Sequence, residues 1–195
     1  GFLWMATKDG LNRYDGSRFK IFSPDPFDPY AIANSEVHSI FEDSRGWIWV
    51  AFERELDVLD PTTGRFYHVS HDGGKNFNGN GTWMTIGESP DGDIWVANQN
   101  ELWTIKVPND LLARATQKGV SSINPPCKMT PKPIGSPSIF IENNLLTVTA
   151  EGLFRLDPAT GKISLELPTP GWNIGGLSVD AQGNIVGRAD NTSPG

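Results

Sequence analysis

The side chains in this sequence that could bind a metal or move a proton are few: His38, His68, His71 with Asp72 beside it, and the single Cys127. A protein zinc site gathers four nitrogen, sulfur or oxygen ligands at characteristic spacings. His68 and His71 are close in the chain, but no Cys or acidic residue stands at such a spacing from them. No metal and no cofactor is therefore expected. Cys127 alone can make neither an internal disulfide nor a Cys-based zinc site, and reads as an ordinary free thiol. Gly73-Gly-Lys75 is a short polar loop and Gly79-Asn-Gly81 a turn, without the spacing of a phosphate loop. No Gly-x-Ser-x-Gly elbow occurs. The acidic residues cluster in turn sequences, where Asp bonds its own backbone, so no catalytic carboxylate pair is assigned. The expectation is a protein without catalytic residues, in which recognition is the chemistry to look for.

Composition narrows what could be recognised. Sixteen Lys and Arg against 23 Asp and Glu give a formal charge of −7, and a nucleic-acid partner would require a basic footprint. The 195 residues include 21 Gly and 15 Pro, which leaves little room for long helices. No apolar run approaches the roughly 18 residues of a membrane span, so no direct membrane insertion is expected. No leader peptide is read at the start.

The elements that must position a recognition surface are set by internal repetition, a feature that decides the fold before any local reading. Gly1-Phe-Leu-Trp4-Met-Ala, Gly46-Trp-Ile-Trp49-Val-Ala and Gly92-Asp-Ile-Trp95-Val-Ala are copies of one another. A weaker copy surrounds Leu146, and a short one Val186. The anchors Trp4, Trp49, Trp95, Leu146 and Val186 are spaced 40 to 51 residues apart, the period of propeller blades or helical solenoids. The runs Ile48 to Ala51, Ile94 to Ala97 and Leu145 to Val148 are β-branched and apolar, bounded by Gly, Asp and Asn, which selects strands. Trp47 to Ala51 show no polar alternation, so both faces of that strand are expected to be buried, as in stacked blades.

The second repeat divides into four strands: 37–42, 48–52, 56–59 and 65–69. Turns at 43–46 and Asp60-Pro-Thr-Thr-Gly64 join the first and last pairs. Pro presets φ, Asp caps its backbone and Gly accepts a positive φ. Four strands at this period make an all-β fold, a β-propeller of four-stranded antiparallel blades. Residues 1–195 read as one propeller segment with a Pro-rich insertion at 107–137. Inside the insertion, Asn109 to Gly119 has the start and stop signals of a short helix, with Asn109 as its cap. Only 120–123 offers an outer strand for the third blade. The first blade has three strands and the last two, so the segment reads as an arc of a larger ring and a fragment of a longer polypeptide, because open arcs expose edges that proteins avoid. Trp4, Trp49 and Trp95 are expected in the core and Trp47 half-exposed. Trp83 and Trp103 are expected in strands, and Trp172 in a loop.

The stretch Gly1-Phe-Leu-Trp-Met-Ala-Thr-Lys-Asp-Gly-Leu-Asn-Arg-Tyr-Asp-Gly16, with Phe19, Asp25-Pro-Phe-Asp-Pro29 and Val37-His-Ser-Ile-Phe-Glu-Asp43, resembles the two-component regulator propeller repeat. The resemblance is strong to residue 70, fair to 106, weak over 107–142, and returns over 144–167. Ala6, Ala51 and Ala97 replace the family's usual Gly. Glu55 and Glu101 replace the Gly kept at Gly10 and Gly152, which bears on the geometry of those turns. The resemblance implies the extracytoplasmic sensor domain of a hybrid two-component histidine kinase, periplasmic and anchored to the inner membrane through its parent polypeptide. Partners implied are a small-molecule or oligosaccharide ligand, the rest of the parent sensor kinase, and a second copy as a homodimer. The kinase itself is expected elsewhere in that polypeptide.

In a four-stranded meander the turns between second and third strands share an end with the blade-to-blade connections. Those connections are the longer and more varied loops here, and variable loops on rigid scaffolds carry recognition. The exposed residues expected there are Lys8, Asp9, Glu53, Arg54, His71, Trp83, Asn98, Gln99 and Asn100. Polar amides and an aromatic platform would suit a sugar, whose ring pairs hydroxyls with an apolar face. Two other classes compete. A docking propeller of a surface or secretion assembly would use the same loops for protein. A lyase resembling the streptogramin-opening family would need a metal and a base at His38 or His71.

Overall fold

The computed structural model describes residues 1–75, 77, 85–98, 101–131, 138–141, 144–170, 172–180 and 182–191. They form short strands and one helix. The first sheet has the order β1 (Leu3–Thr7), β2 (Gly10–Tyr14), β3 (Phe19–Phe22). The second contains β4 (Ser39–Glu42), β5 (Ile48–Ala51), β6 (Leu56–Asp60) and β7 (Arg65–Val69), antiparallel in sequence order. The third takes β8 (Thr85–Glu88), β9 (Ile94–Ala97) and β10 (Glu101–Ile105). It is completed beyond the helix α1 (Leu111–Lys118) and the two-residue β11 (Ser122–Ile123) by β12 (Cys127–Pro131). The fourth is β13 (Ser138–Ile141), β14 (Asn144–Thr149), β15 (Gly152–Leu156) and β16 (Ile163–Pro168). The last is the pair β17 (Trp172–Val179) and β18 (Ile185–Asn191).

Two compact units result: residues 1–96 with 104–128, and residues 97–103 with 129–195. In the first unit the leading strands β1, β4 and β8 approach one another in turn. The backbone N–H of Val37 donates to Thr7 O at 2.9 Å, tying the second sheet to the first. Between these sheets lies a core of Leu11, Phe22, Ile32, Val37, Ile48, Val50, Phe52, Leu59 and Phe66. The other face of the second sheet carries Trp49, Val58 and Tyr67, which are also fully buried. Side chains alternate faces along a strand. The unbroken apolar run at β5 thus serves two cores, as its lack of alternation predicts. In the second unit Ile174 and Leu177 of β17 pack on Leu146, Val148 and Leu153.

The turn joining β4 to β5 is built around one carboxylate. Asp43 accepts from the Arg45 and Trp47 N–H groups at 2.9 and 3.0 Å, from the Trp49 indole N–H at 2.9 Å, and from the Arg45 guanidinium at 2.9 and 3.0 Å. Arg45 Nη2 donates on to Gly92 O at 2.8 Å and lies 3.6 Å from Glu88 Oε1. A buried carboxylate is tolerated when donors of this number surround it.

Three local expectations are corrected. The outer strand of the third sheet is β12, whereas residues 120–123 supply β11, which pairs in parallel with β7 of the second sheet. The His68 and Ser70 N–H groups find Ser121 O and Ile123 O at 2.7 and 3.0 Å, so the insertion covers an edge that would otherwise be bare. The helix is capped by Asp110 rather than Asn109, without a side-chain cap bond. It ends as predicted at Gly119, which has a left-handed φ of 65°. Trp172 begins strand β17 instead of lying in a loop.

Candidate functional site

The β1–β2 and β5–β6 turns reach the same end of the first unit. Thr7, the last residue of β1, accepts from Val37. The next N–H, that of His38, donates to Ala51 O at the end of β5. Lys8 and Asp9 occupy one turn, Glu53 and Arg54 the other, and all four are exposed. Arg54 Nε lies 3.9 Å from Glu53 Oε1. The Asp9 N–H is held by Thr7 Oγ1 at 3.2 Å. The surface is therefore a balanced set of two cations and two anions on short hairpins, able to donate to and accept from hydroxyl groups.

Of the other expected residues, His71 lies at the same end but is buried, 7% exposed. Its ring sits 5.2 Å from that of Phe77, its backbone bridges to Lys75, and its Nδ1 is 3.4 Å from Asp72. It shapes the loop from within rather than presenting itself. Asn98 is likewise buried, because its side-chain oxygen accepts the Glu101 N–H at 2.9 Å and closes the β9–β10 turn. Trp83, Gln99 and Asn100 lie outside the described residues. His38 is largely covered and 3.7 Å from Glu36. Among the described residues no three His, Cys, Asp or Glu side chains converge as metal ligands. Burial pushes the Cys127 thiol up to about 11, with Asp72 adding to the shift, so it stays protonated at neutral pH.

The structure adds a pair the sequence reading passed over. Asp57 on β6 is fully buried and faces His68 on β7, with 2.8 Å between Oδ1 and the imidazole Nδ1. Its second oxygen accepts the Ala33 N–H at 2.8 Å. Phe66 N–H donates to Tyr30 O at 2.9 Å, and the Arg65 guanidinium lies 4.7 Å from the Tyr30 ring. The connection from β3 to β4, expected to be a free recognition loop, is thus strapped onto β7. Burial raises the Asp57 carboxyl, and the His68 hydrogen bond only partly offsets it. The bond to Asp57 raises His68, with the Pro29 carbonyl adding to it against burial. A signal was present: one Asp inside Leu56-Asp-Val-Leu59 implies a buried charge, and such a charge needs a partner.

Comparison with known proteins agrees with the geometry. Residues 31–54, which include the Val37 contact that ties the second sheet to the first, match the two component regulator propeller family. A search of curated proteins found no match. Among solved structures, the chain resembles the extracellular domain of BT3049 from B. thetaiotaomicron, assigned as a hybrid two component system. Identity is 21% and the TM-score 0.64, over 94% of this chain and 24% of that one. The corresponding domain of BT4673 from the same organism gives 17% identity and a TM-score of 0.62, over 98% and 29%. The WD40 domain of Neurospora crassa Pan2 gives 12% and 0.52, over 98% and 59%. The fold is therefore that of propeller blades, as the repeat spacing predicts. The chain spans 24% and 29% of the length of the two bacterial domains.

Proposed function

We propose that this segment is the ligand-sensing propeller module of a two-component signal-transduction receptor, acting outside the cytoplasm, in the periplasm, as part of a longer membrane-anchored polypeptide. The observation that carries the reading is the regulator-propeller match at residues 31–54, embedded in a fold like that of two extracellular receptor domains. The module's work is binding, and signalling output belongs to the rest of the parent kinase. No helix among the described residues is long and apolar enough to cross a membrane. The ligand class we assign is a carbohydrate or another small polar molecule, met at the hairpin end that presents Lys8, Asp9, Glu53 and Arg54. Charge-balanced, hydrogen-bonding hairpins on a rigid double-core sheet suit such a ligand. The test is made in the parent receptor with a transcriptional reporter. Exchanging Lys8, Asp9, Glu53 and Arg54 together for Ser should abolish the response to a glycan digest while the receptor remains folded and inserted. An unchanged response overturns the assignment of this end.

A further inference from the structure

A concavity lies at the opposite end of the second sheet, where none of the residues discussed above as ligand contacts is found. It is a cleft of about 540 Å³ between the β4–β5 turn, the β6–β7 turn and helix α1. That volume falls within the usual range for small-ligand sites. Trp47 lines it on one side, Asn109 and Gln117 on the helix side, and Asp60 and Thr62 along the second turn.

Trp47 is not there for the repeat. The equivalent position is held by Phe2, Asp93, Asn144 and Asn184 in the other copies, so the blade core does not require an aromatic. The half-buried indole is nevertheless held in place. The Arg45 guanidinium sits 5.1 Å from its ring centroid and is itself anchored by Asp43, Gly92 O and Val107 O. The indole that borders the cleft is thus held in a set orientation by a fixed cation. Pre-setting of this kind lowers the ordering cost of binding.

The charges of the lining decide the ligand's charge. Arg45 is spent on Asp43 and Glu88 and offers no free cation. Asp60 is an anion. Burial alone would raise its carboxyl, but hydrogen bonds from Thr62 and Thr63 outweigh that and hold it below its ordinary value. The remaining polar lining is amide and hydroxyl, beside the apolar Pro61, Leu112 and Ala113. An acidic ligand would meet one uncompensated carboxylate and no counter-charge, and fully desolvated like charges are penalised. A neutral ring with an apolar face and hydroxyl edges meets an aromatic surface and two carboxamides.

We propose that the Trp47–Asn109–Gln117 cleft is a second carbohydrate site, selective for neutral over acidic glycans. The ligand class rests on the functional reading above; the place and the charge selectivity do not. Isothermal titration of the 195-residue chain tests it, with xylo-, cello-, malto- and arabinotetraose as neutral probes and tetragalacturonic acid as the acidic one. The expected result is binding of at least one neutral probe, weakened tenfold or more in Trp47→Ala and several-fold in Asn109→Ala with Gln117→Ala. Binding should be kept in Trp47→Phe, which also serves as the folding control, and in Glu53→Gln with Arg54→Gln the component that Trp47→Ala removes should remain. Binding unaffected by Trp47→Ala overturns the site, as does tetragalacturonic acid binding equally well or no neutral probe binding at all. Loss of binding in the Glu53/Arg54 variant alone overturns this cleft while leaving the sensor reading intact. A silent receptor reporter with intact Trp47-dependent binding does the reverse.

Discussion

The second sheet and the last strand pair carry the same repeat and have opposite fates. At its anchor the second sheet has Trp49, wholly buried; the β17–β18 pair has Val186, 49% exposed. Every residue of β5 is buried, whereas in β17 only Ile174 and Leu177 are partly covered, by the core of the second unit. Strand formation is alike in both, since each makes an antiparallel ladder, that of β17 and β18 with a register shift between Gly175 and Leu177. What differs is how many faces meet a packed neighbour. A blade of this kind draws its stability from the layers on either side more than from its own residues; the second sheet is buried on both faces, and the β17–β18 pair packs through Ile174 and Leu177.

The largest test of that contrast is truncation at the anchors. Trp49→Ala should cost about 3–5 kcal/mol, and Val186→Ala should stay within about 0.5 kcal/mol, read as shifts in denaturant midpoint. Comparable losses at both positions would break the contrast. A second test removes the carboxylate under Trp49. Asp43→Ala strands the Arg45 guanidinium and the indole N–H inside the first unit, and loss of one partner from such a buried set costs about 3 kcal/mol or more. A cost below about 1 kcal/mol would show that solvent reaches the turn.

A third test concerns the hairpins that begin β2 and β15. Gly10 and Gly152 have φ of 120° and 151°, and an added Cβ would stand 2.2 and 2.3 Å from the carbonyl oxygens of Phe22 and Leu167. Glu55 and Glu101, at the matching positions, are not among the residues with positive φ; their turns close through Phe52 N–H to Glu55 O and Asn98 N–H to Glu101 O, both 3.0 Å. The sequence departures at these two positions thus mark a real change of turn. Gly10→Ala should cost about 1–3 kcal/mol from the strained backbone, with the clash adding to it, while Glu55→Gly should be mild. A thermal scan in which Gly10→Ala matches wild type would refute the close approach.

Much of this was legible because repetition supplies its own registration. Three of the four strands in the second sheet begin where the pattern places them, because Asp-Pro-Thr-Thr-Gly and Asp-Ser-Arg-Gly fix the turns. The exposure of Lys8, Asp9, Glu53 and Arg54 follows from their place on tight hairpins. The insertion resisted reading. Cys127-Lys-Met-Thr-Pro131 has little β-branched character, yet it completes the third sheet, while the better-looking 120–123 pairs elsewhere. Strand type can be read from a few residues, but a partner along an edge is chosen by which N–H groups lack an acceptor. His71 and Asn98 were misjudged for a related reason: a polar side chain that bonds or packs within its own loop looks, in sequence, like one that faces solvent.

The smallest expected effect lies in the strap that fastens residues 29–33 onto β7, and it also separates the two regions, because the last strand pair has no titratable pair of this kind among its described residues. His68 has its pKa raised above the ordinary 6.5, chiefly by its bond to Asp57. The folded state therefore holds a proton that the unfolded chain has released. The stabilisation is fully present below pH 6.5 and is lost as pH rises through the elevated folded value. Asp57 is also raised, burial being the main cause, and acts in the same direction. Glu55 adds to the rise at Asp57. With about a third of the His68 side chain in water, solvent screening keeps the loss below about 1 kcal/mol. Hydrogen exchange at the Ala33 amide, bonded to the Asp57 carboxylate, should accelerate from pH 6 to 9 beyond the intrinsic pH effect. The excess should vanish in His68→Gln, which keeps a neutral donor but cannot titrate. An undiminished excess in that variant would assign the pH response to another group and leave the strap as fixed structure.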